Sequence, residues 1–208
     1  MFIKHRGSVP VAAPSVFVAP TAVLAGKVKV GKDSRIMYGA VLDAEGSRVE
    51  VGECTVICEN AVIRATAEGD KDHPVLIEDH VFVGPHATLL GCTVEQASYI
   101  ATGATVLQGA IIRSGAIIAV GALVHANAVI PKGMFLPPNT VALGDPVRIY
   151  GPHEKEALVD AIRSAGFTKT AFNVAAIGAD PVERLKRTVE VRSREFRAHF
   201  NDEIPEKG

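Results

Sequence analysis

Apolar residues recur at every sixth position along most of the chain, with small or polar residues between them. The steps run without a slip from Val94 to Ala142, and small residues such as Ala104 and Ala110 follow four positions after many of them. A hexad of this kind is one short strand plus a corner, and three hexads close one triangular coil of a parallel β-helix. About twenty hexads therefore predict between six and seven coils.

Two insertions interrupt this register in the first half of the chain. The insertions span residues 43–50 and 64–76. The hexads begin at Val18, stop after Leu42 and resume after each insertion. In a solenoid such insertions leave from a corner and project sideways, often on the binding face. We interpret the charged stretch 68–73 as a solvated excursion; the alternative is a cover over a cleft between subunits.

The apolar spacing changes from the hexad to a helical period after residue 147. The predicted organisation is a lead-in over 1–17, a repeat domain over 18–147 and a helical tail over 148–208. Apolar residues on one helical face predict tail helices over about 153–165 and 181–200. Residues 201–208 are expected to form a frayed end.

Composition excludes several classes of protein. The formal net charge is −1 with acids and bases interspersed, which argues against a nucleic-acid partner. No apolar run approaches the roughly 20 residues of a membrane span, and the first residues lack the apolar core of a secretory signal. The three cysteines form no obvious disulfide framework, so a cytoplasmic location is expected.

Several stretches within roughly residues 14–150 carry a family resemblance: VFVAPTAVLAGKVKVG, IMYGAVLDAEG, VFVGPHATLLGCTV and the closing ALGDPVRI. With the two insertions at these places, they resemble the γ-class carbonic anhydrases. The resemblance implies an all-β, left-handed parallel β-helix with a C-terminal helical appendage. It also implies a homotrimer that binds zinc between adjacent subunits.

The three zinc histidines of that family correspond here to Arg64, Pro85 and Leu90. Arg64 lies in VIRAT, and the family stretch resembling GHxxxLHGC reads GPHATLLGC. The hexad count places Arg64 and Leu90 on one face, one coil apart, and Pro85 on another face. Zinc needs imidazole, thiolate or carboxylate donors, so we expect the family's zinc to be absent and expect no other cofactor.

The residues that support the zinc site in the family are also altered. The family's R-G-D reads D-A-E and its N-I-Q-D reads V-I-C-E, which retains acids at Glu45 and Glu59. The arginine and glutamine positions hold Asp43 and Cys58. One hypothesis is that Asp43 or Glu59 pairs with Arg64 and replaces the lost family contacts.

The remaining donors leave alternatives open. His86 could form a rearranged metal site with Cys58 and His73, but a solvated corner histidine is favoured because no second donor has convincing spacing. Cys58 could be a nucleophile, but thiol activation needs a nearby base or positive charge, so a packed thiol is favoured. His125 is expected to point outward. His5 and His199 lie in terminal segments without a motif.

Two functions from different classes follow. The first is a trimeric carbonic-anhydrase-like protein without the zinc site and without CO2 hydratase activity, acting as a scaffold or binding a small molecule at the subunit interface. The second is an acyltransferase with an acyl-CoA-type donor in the inter-subunit cleft, because GDPVR at 144–148 resembles the G-N-P-A-K turn of hexapeptide acyltransferases. Its general base would be His86 or His125.

A hydratase with a rearranged metal site is the third alternative. The candidate catalytic residues in the cleft are Glu45, Cys58, Glu59, Arg64 and His86.

Overall fold

Short strands wind around one apolar axis in the computed structural model, which describes residues 1–68, 71–174 and 180–205. The strands in chain order are β1 (Phe2–Ile3), β2 (Val11–Ala12), β3 (Phe17–Val18), β4 (Val23–Ala25), β5 (Val28–Val30), β6 (Arg35–Ile36), β7 (Val41–Asp43), β8 (Val49–Val51), β9 (Val56–Ile57), β10 (Val62–Arg64), β11 (Thr66–Glu68), β12 (Lys71–His73), β13 (Val75–Ile77), β14 (Phe82–Val83), β15 (Thr88–Leu90), β16 (Thr93–Val94), β17 (Tyr99–Ile100), β18 (Thr105–Val106), β19 (Ile111–Ile112), β20 (Ile117–Ile118), β21 (Leu123–Val124), β22 (Val129–Ile130), β23 (Phe135–Leu136), β24 (Val141–Leu143) and β25 (Arg148–Tyr150).

These strands stack into the three parallel faces of a prism. Sheet 1 has the order β1-β4-β7-β10-β15-β18-β21-β24, sheet 2 runs from β2 to β22, and sheet 3 runs from β3 to β23. Strand β25 adds to the end of sheet 1 in the antiparallel direction. Sheets 2 and 3 have seven strands each, so the described chain makes seven complete coils and begins an eighth. The predicted parallel β-helix with a helical appendage is confirmed.

The hexad positions form the core. Ile63 pairs in register with Leu42 on one side and Leu89 on the other, and all three side chains are fully buried. Stacking one aliphatic residue on the next at each coil lets a thin prism exclude water along its whole axis. Burial of each such side chain stabilises the fold by about 1.5–3 kcal/mol.

The corners between strands require left-handed backbone conformations. Gly109 has φ +73°, and a Cβ added to it would lie 2.2 Å from Oδ1 of Asn127 in the next coil. Glycine fits this position because it has no Cβ and adopts positive φ without strain.

The first coil begins earlier than the hexad pattern predicts. Residues 2–18 form β1 to β3, and Phe2 pairs with Leu24 while Ala12 pairs with Val30. The step from Phe2 to Ala12 is longer than the hexad from Leu24 to Val30, which explains why the sequence indicates only a lead-in over 1–17.

The longer insertion forms a projecting hairpin. Strands β11 and β12 pair antiparallel, with Thr66 opposite His73. Nη1 of Arg48 lies 3.6 Å from Oδ2 of Asp72 and links the hairpin to the coil. Residues 69 and 70 lie outside the described residues, so both interpretations of segment 68–73 stay predictions.

The tail contains three helices and a 3-10 turn: α1 (Lys155–Ala165), α2 (Phe167–Phe172), α3 (Pro181–Phe196) and the turn Arg197–Asn201. Asp180 caps α3, because its side chain accepts a hydrogen bond from the backbone N–H of Glu183. Helix α2 was missed because its sequence, FTKTAF, is too short to show a helical period. Within the described ranges, no helix is both long and apolar enough to cross a bilayer.

The expectation of a frayed end is wrong for residues 201–203. The backbone N–H of Lys4 donates to the carbonyl of Glu203 at 2.7 Å, and the N–H of Glu203 donates back at 3.0 Å. The tail therefore returns to the first coil of its own chain. Residues 206–208 lie outside the described residues, so the expectation stays untested there.

Candidate functional site

Arg64, at the end of β10, lies where the resemblance places the first zinc ligand. It stands between Asp43 and Leu90 in the register of sheet 1. Nη2 of Arg64 donates a hydrogen bond of 3.1 Å to Oδ2 of Asp43, whose carboxylate is almost fully buried. The guanidinium carbon also lies 5.1 Å from the ring centroid of Phe196 in α3. The hypothesised ion pair of Asp43 with Arg64 is therefore present, and it lies within one subunit.

The three family positions do not fit zinc. Leu90 lies next to Arg64 in the adjacent coil, as the hexad count predicts, while Pro85 follows β14 on sheet 3. Neither Pro85 nor Leu90 carries a donor atom, and the permanently charged guanidinium of Arg64 repels a dication.

A second corner, after the strands of sheet 3, holds the other predicted candidates. The backbone N–H of His86 donates to the carbonyl of Glu59 at 3.0 Å, so these residues occupy neighbouring coils. His86 is exposed, whereas Cys58 beside Glu59 is buried. Burial, with the charge of Glu59 adding to it, raises the pKa of the Cys58 thiol, which favours a packed thiol over a nucleophile. His73 lies apart from this corner, beside Gly91 of sheet 1.

His125 does not point to solvent as expected. Only 3% of its surface is exposed, and its ring packs against Phe167 of α2 at a centroid distance of 5.6 Å. Burial lowers the pKa of this imidazole. The tail therefore covers the residue that was considered as an acyltransferase base.

Of the other four candidate catalytic residues, only Glu45 meets Arg64 at the sheet 1 corner. Its backbone has φ +44°, and its N–H donates to Oδ1 of Asp43 at 3.0 Å, which stabilises this turn. Its side chain is fully buried, and Oε1 lies 3.9 Å from Nε of Arg64. Burial, together with the negative charge of Asp43, raises the pKa of Glu45.

Three residues that carried no sequence signal complete this corner: His5, His199 and Asp202. Oδ1 of Asp202 lies 2.6 Å from Nδ1 of His5, and its Oδ2 lies 2.8 Å from Nδ1 of His199. The two imidazole rings stack with centroids 4.2 Å apart. Nε2 of His199 then lies 3.2 Å from Oε1 of Glu45. Periodicity could not find this cluster because its members come from both ends of the chain.

The electrostatics of the cluster follow from these contacts. Burial alone would lower the pKa of His199, but hydrogen bonds with Asp202 and Glu45 outweigh it and the pKa is raised. Burial would raise the pKa of Asp202, but its hydrogen bonds with His199 and His5 lower it instead. Hydrogen bonds between segments that are distant in the chain therefore stabilise the ionisable side chains of Glu45, His199 and Asp202 at this corner.

Comparison with known proteins identifies relatives that match about half of the chain or less. The chain is 44% identical over 88 residues to γ carbonic anhydrase 3 of Arabidopsis thaliana, a match that covers 41% of this chain and 34% of that protein. It is 30% identical over 103 residues to a carbonic anhydrase of Geobacillus kaustophilus, which covers 50% of this chain and 54% of the relative. Over the matched stretches the chain is therefore similar to γ carbonic anhydrases. No family model matches the chain.

A solved structure supports the fold, and only the fold. A hexapeptide transferase family protein from Anaplasma phagocytophilum superposes with a TM-score of 0.52 at 19% identity, covering 97% of this chain and 98% of the other. The chain spans about a third of the length of the plant relatives it matches and about half of the bacterial one.

Proposed function

We propose that this chain is a carbonic-anhydrase-like scaffold or binding protein that has exchanged the family's zinc-histidine site for an ion pair and has no CO2 hydratase activity. The observation that carries the proposal is the position of Arg64, which pairs with Asp43 at 3.1 Å and lies beneath Phe196 of its own tail. A metal-activated hydroxide requires donors that hold the metal and leave one position open to water. Arg64, Pro85 and Leu90 supply none.

The proposal includes a homotrimer in the cytoplasm, with a small-molecule ligand at the subunit interface. The trimer rests on the resemblance to the γ-class family. The cytoplasmic location is supported by cysteine usage, since Cys54, Cys58 and Cys92 are all free thiols. Sedimentation analysis of the purified chain tests the trimer, and a monomer would overturn that part of the proposal.

A reconstruction of the histidine site tests the loss of hydratase function. CO2 hydration should not exceed the buffer rate in zinc-supplemented wild-type protein. The triple substitution Arg64→His, Pro85→His and Leu90→His supplies imidazoles at the three positions and should bind one zinc equivalent more than the wild type. Hydration by the zinc-supplemented wild type would overturn the proposal.

The acyltransferase alternative is less well supported. Of its two candidate bases, His125 lies beneath Phe167, and His86 has no hydrogen-bonding partner for its ring among the described residues. A ligand that binds the folded state raises the thermal midpoint. We therefore expect no shift with acetyl-CoA at concentrations far above those typical for acyltransferases; a saturable shift would favour the alternative.

A further inference from the structure

The corner where the two chain ends meet contains a set of metal-ligand atoms. His5, Glu45 and His199 each offer one donor atom, and these atoms all lie within 4.8 Å of one another. Nε2 of His199 is 3.2 Å from Oε1 of Glu45, and Nε2 of His5 is 3.9 Å from Oε2. Two imidazole nitrogens and a carboxylate are a donor set that Zn²⁺ and other first-row divalent ions accept.

Asp202 orients both imidazoles toward Glu45. Its two carboxylate oxygens contact the Nδ1 atoms of His5 and His199 at 2.6 and 2.8 Å. A carboxylate on one ring nitrogen fixes the tautomer and leaves the other nitrogen for a metal, an arrangement common around zinc-bound histidines.

Glu45 supplies a second, independent observation. Its side chain is fully buried, and Oε2 has no hydrogen-bond partner among the described residues. A buried carboxylate oxygen without a partner lowers stability, because it has lost its hydrogen bonds to water and has gained none from the protein. This oxygen faces Nε2 of His5, so a cation between the two atoms would satisfy both.

The surroundings provide access and also competition. A cavity of about 220 Å³ adjoins His5 and Glu45 and is lined by Arg6 and Asp72 among others. The exposed Arg6 donates a hydrogen bond of 3.2 Å from Nε to Nε2 of His5. Metal binding requires Arg6 to release this nitrogen. The two rings, inclined by 22°, must also tilt so that their lone pairs converge.

We propose that His5, Glu45 and His199 bind one divalent transition-metal ion within a single subunit, with Asp202 as a positioning residue. The site joins the first coil, the first insertion and the end of the tail, so its role is structural: the ion fastens both chain ends to the prism. This assignment does not depend on the proposed function, because it uses none of Arg64, Pro85 and Leu90.

Zinc titration of the metal-stripped protein by calorimetry tests the site. Wild-type protein should bind one Zn²⁺ per subunit and show a raised thermal midpoint. His199→Gln and Glu45→Gln should each weaken affinity at least tenfold, and Asp202→Asn about 10–100-fold. Arg6→Ala should tighten binding because it removes the competing donor. His153→Gln, which removes an exposed histidine elsewhere in the tail, should bind zinc as the wild type does.

Circular dichroism of each metal-free variant shows whether it has folded. If the variants of the ligand residues do not fold, Arg6→Ala still tests the site. Wild-type affinity no greater than that of a folded His199→Gln variant would overturn the site. Failure of Arg6→Ala to tighten binding would also count against it. CO2 hydration, measured on wild-type protein supplied with zinc, separates the two proposals. Hydration activity would overturn the proposed function, whereas failure of the wild type to bind zinc would overturn only this site.

Discussion

The interior of the prism and the corner around Arg64 belong to the same coils but are held together by different forces. The interior repeats one contact, aliphatic on aliphatic, as in the stack of Leu42, Ile63 and Leu89. The corner combines acidic side chains, an arginine and histidines from four separate segments of the chain. The apolar stack should accept another aliphatic side chain of similar volume but not the loss of one, whereas each charged group at the corner depends on its particular partner.

The largest effect is expected from removing one step of the apolar stack. Ile63→Ala should lower the free energy of unfolding by about 2–5 kcal/mol, because it removes buried surface and leaves a cavity that a repeating prism cannot easily close. Chemical denaturation measures the loss. Val62→Ala on the same strand is the matched control, since Val62 is only half-buried and should cost roughly 1 kcal/mol or less. Equal losses would refute the assignment of the axis.

An intermediate effect is expected at the corner. Arg64→Met keeps the alkyl stem near Phe196 but leaves the buried carboxylate of Asp43 without its cation. The guanidinium is about one-third exposed, so solvent screens the pair, and we expect a loss of about 1–2 kcal/mol. The control is Lys186→Met, which breaks the exposed pair with Glu183 on α3 and should change stability by under about 0.5 kcal/mol. If both substitutions lower the free energy of unfolding equally, the Arg64–Asp43 pair contributes no more than an exposed ion pair does.

The smallest effect is expected at an ion pair on the outside of the coil, between Glu95 and Arg113. The hydrogen bond from Arg113 holds the pKa of Glu95 below its usual value. Its stabilisation is therefore present above the unfolded pKa, at neutral pH, and is lost as the pH falls through the lower folded value. Glu95→Gln should cost up to about 1 kcal/mol at pH 7, and the difference from wild type should shrink toward acid pH.

Denaturation curves at several pH values check this sign. Glu156→Gln, at an exposed position in α1, provides the control and should show no comparable difference from wild type. A gap between wild type and Glu95→Gln that widened toward acid pH would contradict the assignment.

The candidate site was predictable only where it follows the hexads. The register of Arg64 beside Leu90, with Pro85 on another face, followed from counting, because in-register stacking is a local rule repeated at each coil. The resemblance added one further contact, the pairing of Arg64 with Asp43, because it aligns Asp43 with a residue that supports the family's site. The burial of His125 was not predicted, since it depends on where α2 lies.

The sequence by itself determined the parallel β-helix, its inward-facing residues and its resemblance to γ-class carbonic anhydrases. All of these are carried by period and residue identity. Only the tertiary structure decided that the tail runs back to the first coil and brings His199 and Asp202 to His5 and Glu45. Residues so far apart in the chain share no period, and their meeting depends on the path of the whole fold.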